Sequence, residues 1–156
     1  MKKRNILLGS IVILFLLTLT GCGNKSAIDT KTFKDIGLKH GYTITDVKEQ
    51  YSMYNNIKEA TVIGSNDEWQ IEFYVLNSSN DALGMFNTNK EIFESYKGTT
   101  SIEGFKNIGN YNTYSLQSNG MYMYLCRIDN TLLYVNVPKQ YEELVKNLIN
   151  ELGNCK

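Results

Sequence analysis

Asn119-Gly120 lies between two runs of alternating residues, and this pair restricts the fold more than any other feature of the chain. Asn-Gly supplies two consecutive residues that tolerate positive φ, which a two-residue hairpin loop demands. The pair therefore predicts a hairpin joining strands at Tyr111–Gln117 and Gly120–Ile128. A two-residue loop sets Leu116 opposite Met123 and Tyr114 opposite Leu125. One face then carries Tyr114, Leu116, Met121, Met123 and Leu125; the other carries Thr113, Ser115, Gln117, Tyr122, Tyr124 and Cys126. Asp129-Asn130 makes a further turn into a strand over Thr131–Val137. Its length is open, and a change of one residue would turn that strand over.

The preceding half follows the same scheme. Asp29-Thr30-Lys31-Thr32 offers an N-cap for a helix carrying Phe33 and Ile36 and stopping near His40-Gly41. The segment from Tyr42 to Asn56 fits either a short helix or an extended stretch. Ala60–Gly64 is β-branched, and Trp69–Val75 alternates, with Trp69, Ile71, Phe73 and Val75 on one face and Gln70, Glu72 and Tyr74 on the other. Ser78-Ser79-Asn80-Asp81 caps a long helix with Ala82, Met85, Phe86, Ile92, Phe93 and Tyr96 on its apolar side, ending at Gly98. Pro138 suits the first turn of a last helix, whose stripe is Tyr141, Leu144, Val145, Leu148, Ile149 and Leu152, ending at Gly153. The order α-β-β-α-β-β-β-α predicts an α+β domain: a mostly antiparallel five-stranded sheet with helices on one face.

The N-terminus reads as an address. Lys2, Lys3 and Arg4 precede an uncharged run from Asn5 to Thr20, the n- and h-regions of a secretory signal. The run is short for a spanning helix. It ends at Leu19-Thr20-Gly21-Cys22, which resembles the lipobox of bacterial lipoproteins. The resemblance implies a diacylglyceryl group on the Cys22 sulfur and cleavage between Gly21 and Cys22. The organisation then expected is a signal peptide at 1–21, a lipidated tether at 22–29 and one domain at 30–156. Gly23-Asn24-Lys25-Ser26-Ala27 reads as flexible linker. The alternative is an uncleaved anchor helix with Cys22 a bystander. The domain itself resembles small uncharacterised lipoproteins of low-GC Gram-positive bacteria in Gly41-Tyr42, in Ile71-Glu72-Phe73-Tyr74 leading to Ala82 and Phe86, and in Arg127–Tyr134. That resemblance spans residues 33–152 and implies no activity.

Composition narrows the partners. The chain holds 16 Lys+Arg and 16 Asp+Glu; removal of Lys2, Lys3 and Arg4 leaves 13 basic residues against 16 acidic ones. A mildly acidic domain argues against nucleic acid and against electrostatic membrane binding as a second anchor. The expected partners are the membrane, through lipidated Cys22, and an unknown protein or small ligand.

Chemistry-bearing residues are few. The single histidine, His40, falls at a helix end, where a cation meets the negative pole of the dipole. No metal-ligand spacing, glycine-rich phosphate loop or nucleophile elbow occurs, so no catalytic residue, metal or cofactor is expected. Arg127 and Asp129 bracket a turn; an ion pair or turn chemistry accounts for them, and a ligand contact is the alternative. The 11 tyrosines are the compositional anomaly. Tyr74, Tyr122 and Tyr124 fall on the face expected to lie away from the helices, as an aromatic binding face or simply as strand formers. Cys126 and Cys155 could pair outside the cell. Strand and helix lengths return Cys155 to the level of Cys126, whereas the face assignment puts Cys126 away from the helices, so the bond is left open. The function expected is a membrane-anchored extracytoplasmic binding domain at the cell envelope. The alternatives are an envelope hydrolase with a dispersed site and a structural or stress-related lipoprotein.

Overall fold

The computed structural model describes residues 24–65, 68–153 and 155. The signal segment, the Gly21–Cys22 cleavage site and the lipidation site Cys22 lie outside the described residues. The elements run α1 (Thr30–Lys39), β1 (Thr43–Asp46), β2 (Ile57–Ser65), β3 (Trp69–Leu76), α2 (Ser79–Ser95), β4 (Ile102–Ile108), β5 (Tyr111–Ser118), β6 (Met121–Ile128), β7 (Thr131–Pro138) and α3 (Glu142–Leu152). Single 3₁₀ turns occupy Lys48–Tyr51 and Lys139–Tyr141. The strands form one antiparallel sheet in the order β1-β2-β3-β7-β6-β5-β4.

The expectation of a five-stranded sheet in the order α-β-β-α-β-β-β-α is therefore corrected to seven strands in the order α-β-β-β-α-β-β-β-β-α. The two added strands are the sheet's edges. β1 has four residues and is mostly exposed. β4 places its large apolar residues, Ile102, Phe105 and Ile108, at a spacing of three, so it lacks the alternation of a half-buried strand. The hydrogen-bond ladder to β5 holds it from Ile102↔Gln117 to Ile108↔Tyr111.

The helices also lie on both faces, not one. α1 and α3 cover the first face over Phe33, Ile71, Phe73, Val135, Val145 and Leu148. α2 covers the second through Ala82, Phe86 and Phe93, packed on Tyr114, Leu116, Met123 and Leu132. β6 is consequently buried along nearly its whole length. The rule that one face of an antiparallel sheet meets water fails here because the supposed outer face of β6 carries Tyr122, Tyr124 and Cys126, which α3 covers.

Local chemistry sets the boundaries. Asp29 accepts the Thr32 N–H at 2.6 Å and starts α1; Ser78 accepts the Asp81 N–H at 3.1 Å and starts α2. α1 approaches β2 at Gly37, where a Cβ would lie 2.9 Å from Ile63 Cδ1. Asn119 and Gly120 adopt φ 51° and 76°, and the β5–β6 register sets Leu116 opposite Met123. Pro138 ends β7 with ψ 141° rather than opening the helix, which begins four residues later at Glu142.

Part of the segment read as flexible linker makes contacts with the domain. The Lys25 N–H donates to Asn110 Oδ1 at 2.9 Å, and Asn110 Nδ2 returns a bond to the Lys25 carbonyl at 2.8 Å. The Lys25 ammonium lies 3.8 Å from the Tyr111 ring centroid, and Ile28 is buried in the first core. The chain is thus fastened to the domain from Lys25 onward, five residues before α1.

Candidate functional site

α3 stays close to β6 through a covalent link. Cys126 on β6 and Cys155, just past α3, form a disulfide with Cα atoms 5.9 Å apart. The Tyr124 hydroxyl donates to the Cys155 carbonyl at 2.5 Å inside the protein, fastening the same segment a second time. Between α3 and the β4 edge, this face opens into a cleft of about 420 Å³.

The cleft is built in layers. Its floor is the parallel pair Tyr122 and Tyr124, with ring centroids 6.4 Å apart and an interplanar angle of 13°. Gly104, Thr113 and Ser115 make the hollow because they carry little volume. At Gly104 a Cβ would lie 2.8 Å from Ser115 Oγ, so glycine keeps β4 and β5 in register there. Ile149 and Asn150 of α3 form one wall, and Lys106 and Lys146 stand at the lips. Lys146 reaches 5.5 Å from the Tyr122 centroid and pairs with Glu142 at 2.5 Å and Glu143 at 3.3 Å. Glu142 is itself buried and accepts from Gln117 Nε2.

These contacts settle the charges. The Glu142 carboxylate bonded to Lys146 holds the ammonium above its usual range. Burial pushes the Tyr122 phenol up to about 12, against the opposing pull of Lys146. Burial raises Tyr124 further, with Tyr111 and Tyr122 adding to it. Both phenols are therefore protonated at neutral pH and act as ring surface and hydrogen-bonding groups. The cleft can hold an apolar or aromatic group on its floor and a polar one between Lys106, Lys146 and Asn150.

The three tyrosines expected to share a binding face do not share one. Tyr74 faces α2, on the opposite side of the sheet, and is 3% exposed. Its hydroxyl donates to Glu72 and lies 2.9 Å from the Tyr51 hydroxyl. Burial first, then the Glu72 charge, drives its pKa far above the phenol range. Tyr122 and Tyr124 do sit together, as a buried floor rather than an exposed patch. The sequence pattern does not mark Lys106, Lys146 and Asn150 as site residues. Lys146 and Asn150, four residues apart beside the Val145–Ile149 stripe, were the available signal; Lys106 lay in an unrecognised strand.

Arg127 is buried and grips its turn through the Asp129 carbonyl at 3.1 Å, with Nε donating to Asn112 Oδ1. Burial lowers its pKa. His40 caps α1, and its Nε2 lies 2.9 Å from Glu151 Oε1, while Lys39 meets the same carboxylate at 2.7 Å. These contacts join α1 to α3. Among the described residues, no group of three or more His, Cys, Asp and Glu side chains converges as a metal site, and no helix is long and apolar enough to cross a membrane.

No family model and no curated protein sequence matches the chain. A solved structure described as a GTP binding regulator from Thermotoga maritima is similar at 18% identity, covering 80% of this chain and 87% of that chain, with a TM-score of 0.43. A likeness at that level supports no inference about this chain.

Proposed function

We propose that the protein is a membrane-anchored extracytoplasmic lipoprotein whose domain binds a partner at the cell envelope, and that the partner presents an extended polypeptide segment to β4. One observation carries the reading: among the described residues β4 is an edge strand, and it lies beside an aromatic-floored cleft. A sheet edge offers unpaired backbone donors and acceptors, the template for strand addition. β4 runs seven residues and exposes Ile102 and Phe105. Alternate side chains of a strand laid along it would face the mouth of the cleft beside Gly104 and Lys106. The lipobox supplies the anchor, and the Cys126–Cys155 bond accords with an oxidising compartment outside the cytoplasm.

Photocrosslinking from the intact membrane tests this. A photoreactive phenylalanine at Lys106, exposed on the cleft side of β4, should give a discrete protein adduct, whereas the same group at Leu38, exposed on α1, should not. Asn150→Trp, which fills the cleft from an exposed helix position, should abolish the adduct. Equal labelling from both positions, or an adduct indifferent to Asn150→Trp, would remove the cleft from the account.

A further inference from the structure

The descending ends of the strands form one row of turns. The Asp129 N–H donates to the Asn110 carbonyl at 3.0 Å, joining the β6–β7 turn to the β4–β5 turn. The Leu76 N–H donates to the Asn130 carbonyl at 2.8 Å, and the Asn77 N–H donates to the Asn56 carbonyl at 2.9 Å. The row therefore runs from Asn56 at the start of β2, past the end of β3, to Asn110. Four strand spacings separate β2 from β5, about 19 Å in all. Large apolar side chains project from this row into solvent: Met53 is 91% exposed, Tyr54 59% and Ile108 53%.

Lys25 is clamped to Asn110 in the same row by its two reciprocal backbone–side-chain bonds. Cys22 precedes Lys25 by three residue steps. At full extension three steps span about 11 Å. The opposite end of the sheet is a strand length away, about 26 Å for the eight residues of β5. A lipid on Cys22 can hold this row of turns at the bilayer surface; it cannot reach far enough to hold the other end there.

We infer that the row of turns bearing Met53, Tyr54 and Ile108 is a membrane-docking surface, seated in the interfacial layer of the bilayer that anchors Cys22. The inference rests on the lipoprotein reading of Cys22. Tyrosine at headgroup level, with apolar neighbours entering the acyl boundary, is the chemistry of an interfacial contact. The occupant is lipid rather than a protein because the chain leads to Cys22 from Lys25, which is clamped within the row itself. Docking there also fixes the domain's orientation: the sheet stands upright, and β4 extends away from the membrane toward other envelope components.

Tryptophan quenching in vesicles tests the surface. Trp69 is the single native tryptophan, and it opens β3 at the far end, seven residues from Leu76 and about 23 Å from the row. The full chain, purified from membranes, is reconstituted into phosphatidylcholine–phosphatidylglycerol vesicles carrying brominated acyl chains. Tyr54→Trp and Ile108→Trp should each add emission that the brominated lipid reduces roughly twofold or more, as expected for a ring at the acyl boundary. The wild-type signal from Trp69 should be unchanged by the bromines. Both substitutions are at exposed positions, so folding is retained, and Met53→Trp gives a third probe of the same row. If mass spectrometry finds Cys22 diacylated and the added tryptophans are quenched no more than Trp69, the docking surface is wrong and the lipoprotein reading stands. If Cys22 is unmodified, both fall.

Discussion

The abundance of tyrosine has a structural meaning at single positions. Tyr111, Tyr114, Tyr122 and Tyr124 are all buried on β5 and β6, where each ring fills core volume. Tyr124 shows what one hydroxyl among them does. Its bond to the Cys155 carbonyl is 2.5 Å long and buried, so Tyr124→Phe leaves that acceptor without its donor while keeping the ring. A lost buried hydrogen bond costs about 1 to 2 kcal/mol. Urea unfolding should show a loss of that size with an unchanged m-value; no loss would show that solvent replaces the phenol. Charged residues act at the surface. The Thr32 amide holds the Asp29 carboxyl below its usual range, Lys39 followed by His40 does so for Glu151, and Lys97 does so for Glu103. A carboxyl with a lowered folded pKa stabilises the fold above its unfolded value, near 4, and that contribution is lost as pH falls through the folded value. The urea midpoint should therefore hold steady from neutral pH to about 5 and decline below about 4. Asp29→Asn keeps a capping side chain and should make the decline shallower. An equally steep decline in that variant would remove Asp29 from the explanation.

Among the elements, those that announced themselves were the ones whose local chemistry and burial agree. Asp29, Ser78 and Asn119-Gly120 marked two helix starts and a hairpin because a cap or a positive φ demands those residue types. β1 and β4 stayed hidden because an edge strand held by its ladder needs no apolar alternation; Ile102, Phe105 and Ile108 read at the wrong period. The face assignment fails for a related reason. Thr113, Ser115 and Gln117 looked like a solvent side, and their cross-strand neighbours Tyr122, Tyr124 and Cys126 were assigned to it although α3 covers them. Strand and helix lengths did place Cys155 level with Cys126; only the face assignment opposed the bond that the structure contains. Bridging a sequence separation of 29 residues contributes roughly 3 to 4 kcal/mol in the chain-entropy model. For a domain of this size, reduction or Cys155→Ser should lower the melting temperature by about 10 °C. Thiol titration of the unreduced protein should find neither Cys126 nor Cys155 free. Two free thiols with an unchanged melting temperature would mean that α3 is held by packing alone.

At the scale of the whole molecule, an anchor at Cys22 would form one mechanical unit with the domain. Lys25 is clamped to the β4–β5 turn, so Cys22 and the folded domain are separated by Gly23 and Asn24 alone. A lipid on Cys22 would position the sheet as well as retain it. Retention itself follows from chain length: each buried CH₂ contributes about 0.8 kcal/mol, and two acyl chains hold where one is marginal. The net acidic balance, 13 basic residues against 16 once Lys2, Lys3 and Arg4 are removed, offers no electrostatic substitute for those chains. Membrane residence should therefore depend on one sulfur atom. In Cys22→Ala the acyl acceptor is gone, and cleavage before residue 22, which follows acylation, should stop with it. The variant should accumulate as an intact precursor that begins at Met1, while the wild-type chain recovered from membranes should begin at Cys22 and carry a diacylglyceryl mass on that residue. A wild-type chain with an intact N-terminus and an unmodified Cys22 would overturn the lipoprotein reading, and a Cys22→Ala chain processed at the wild-type site would show that cleavage does not await the lipid.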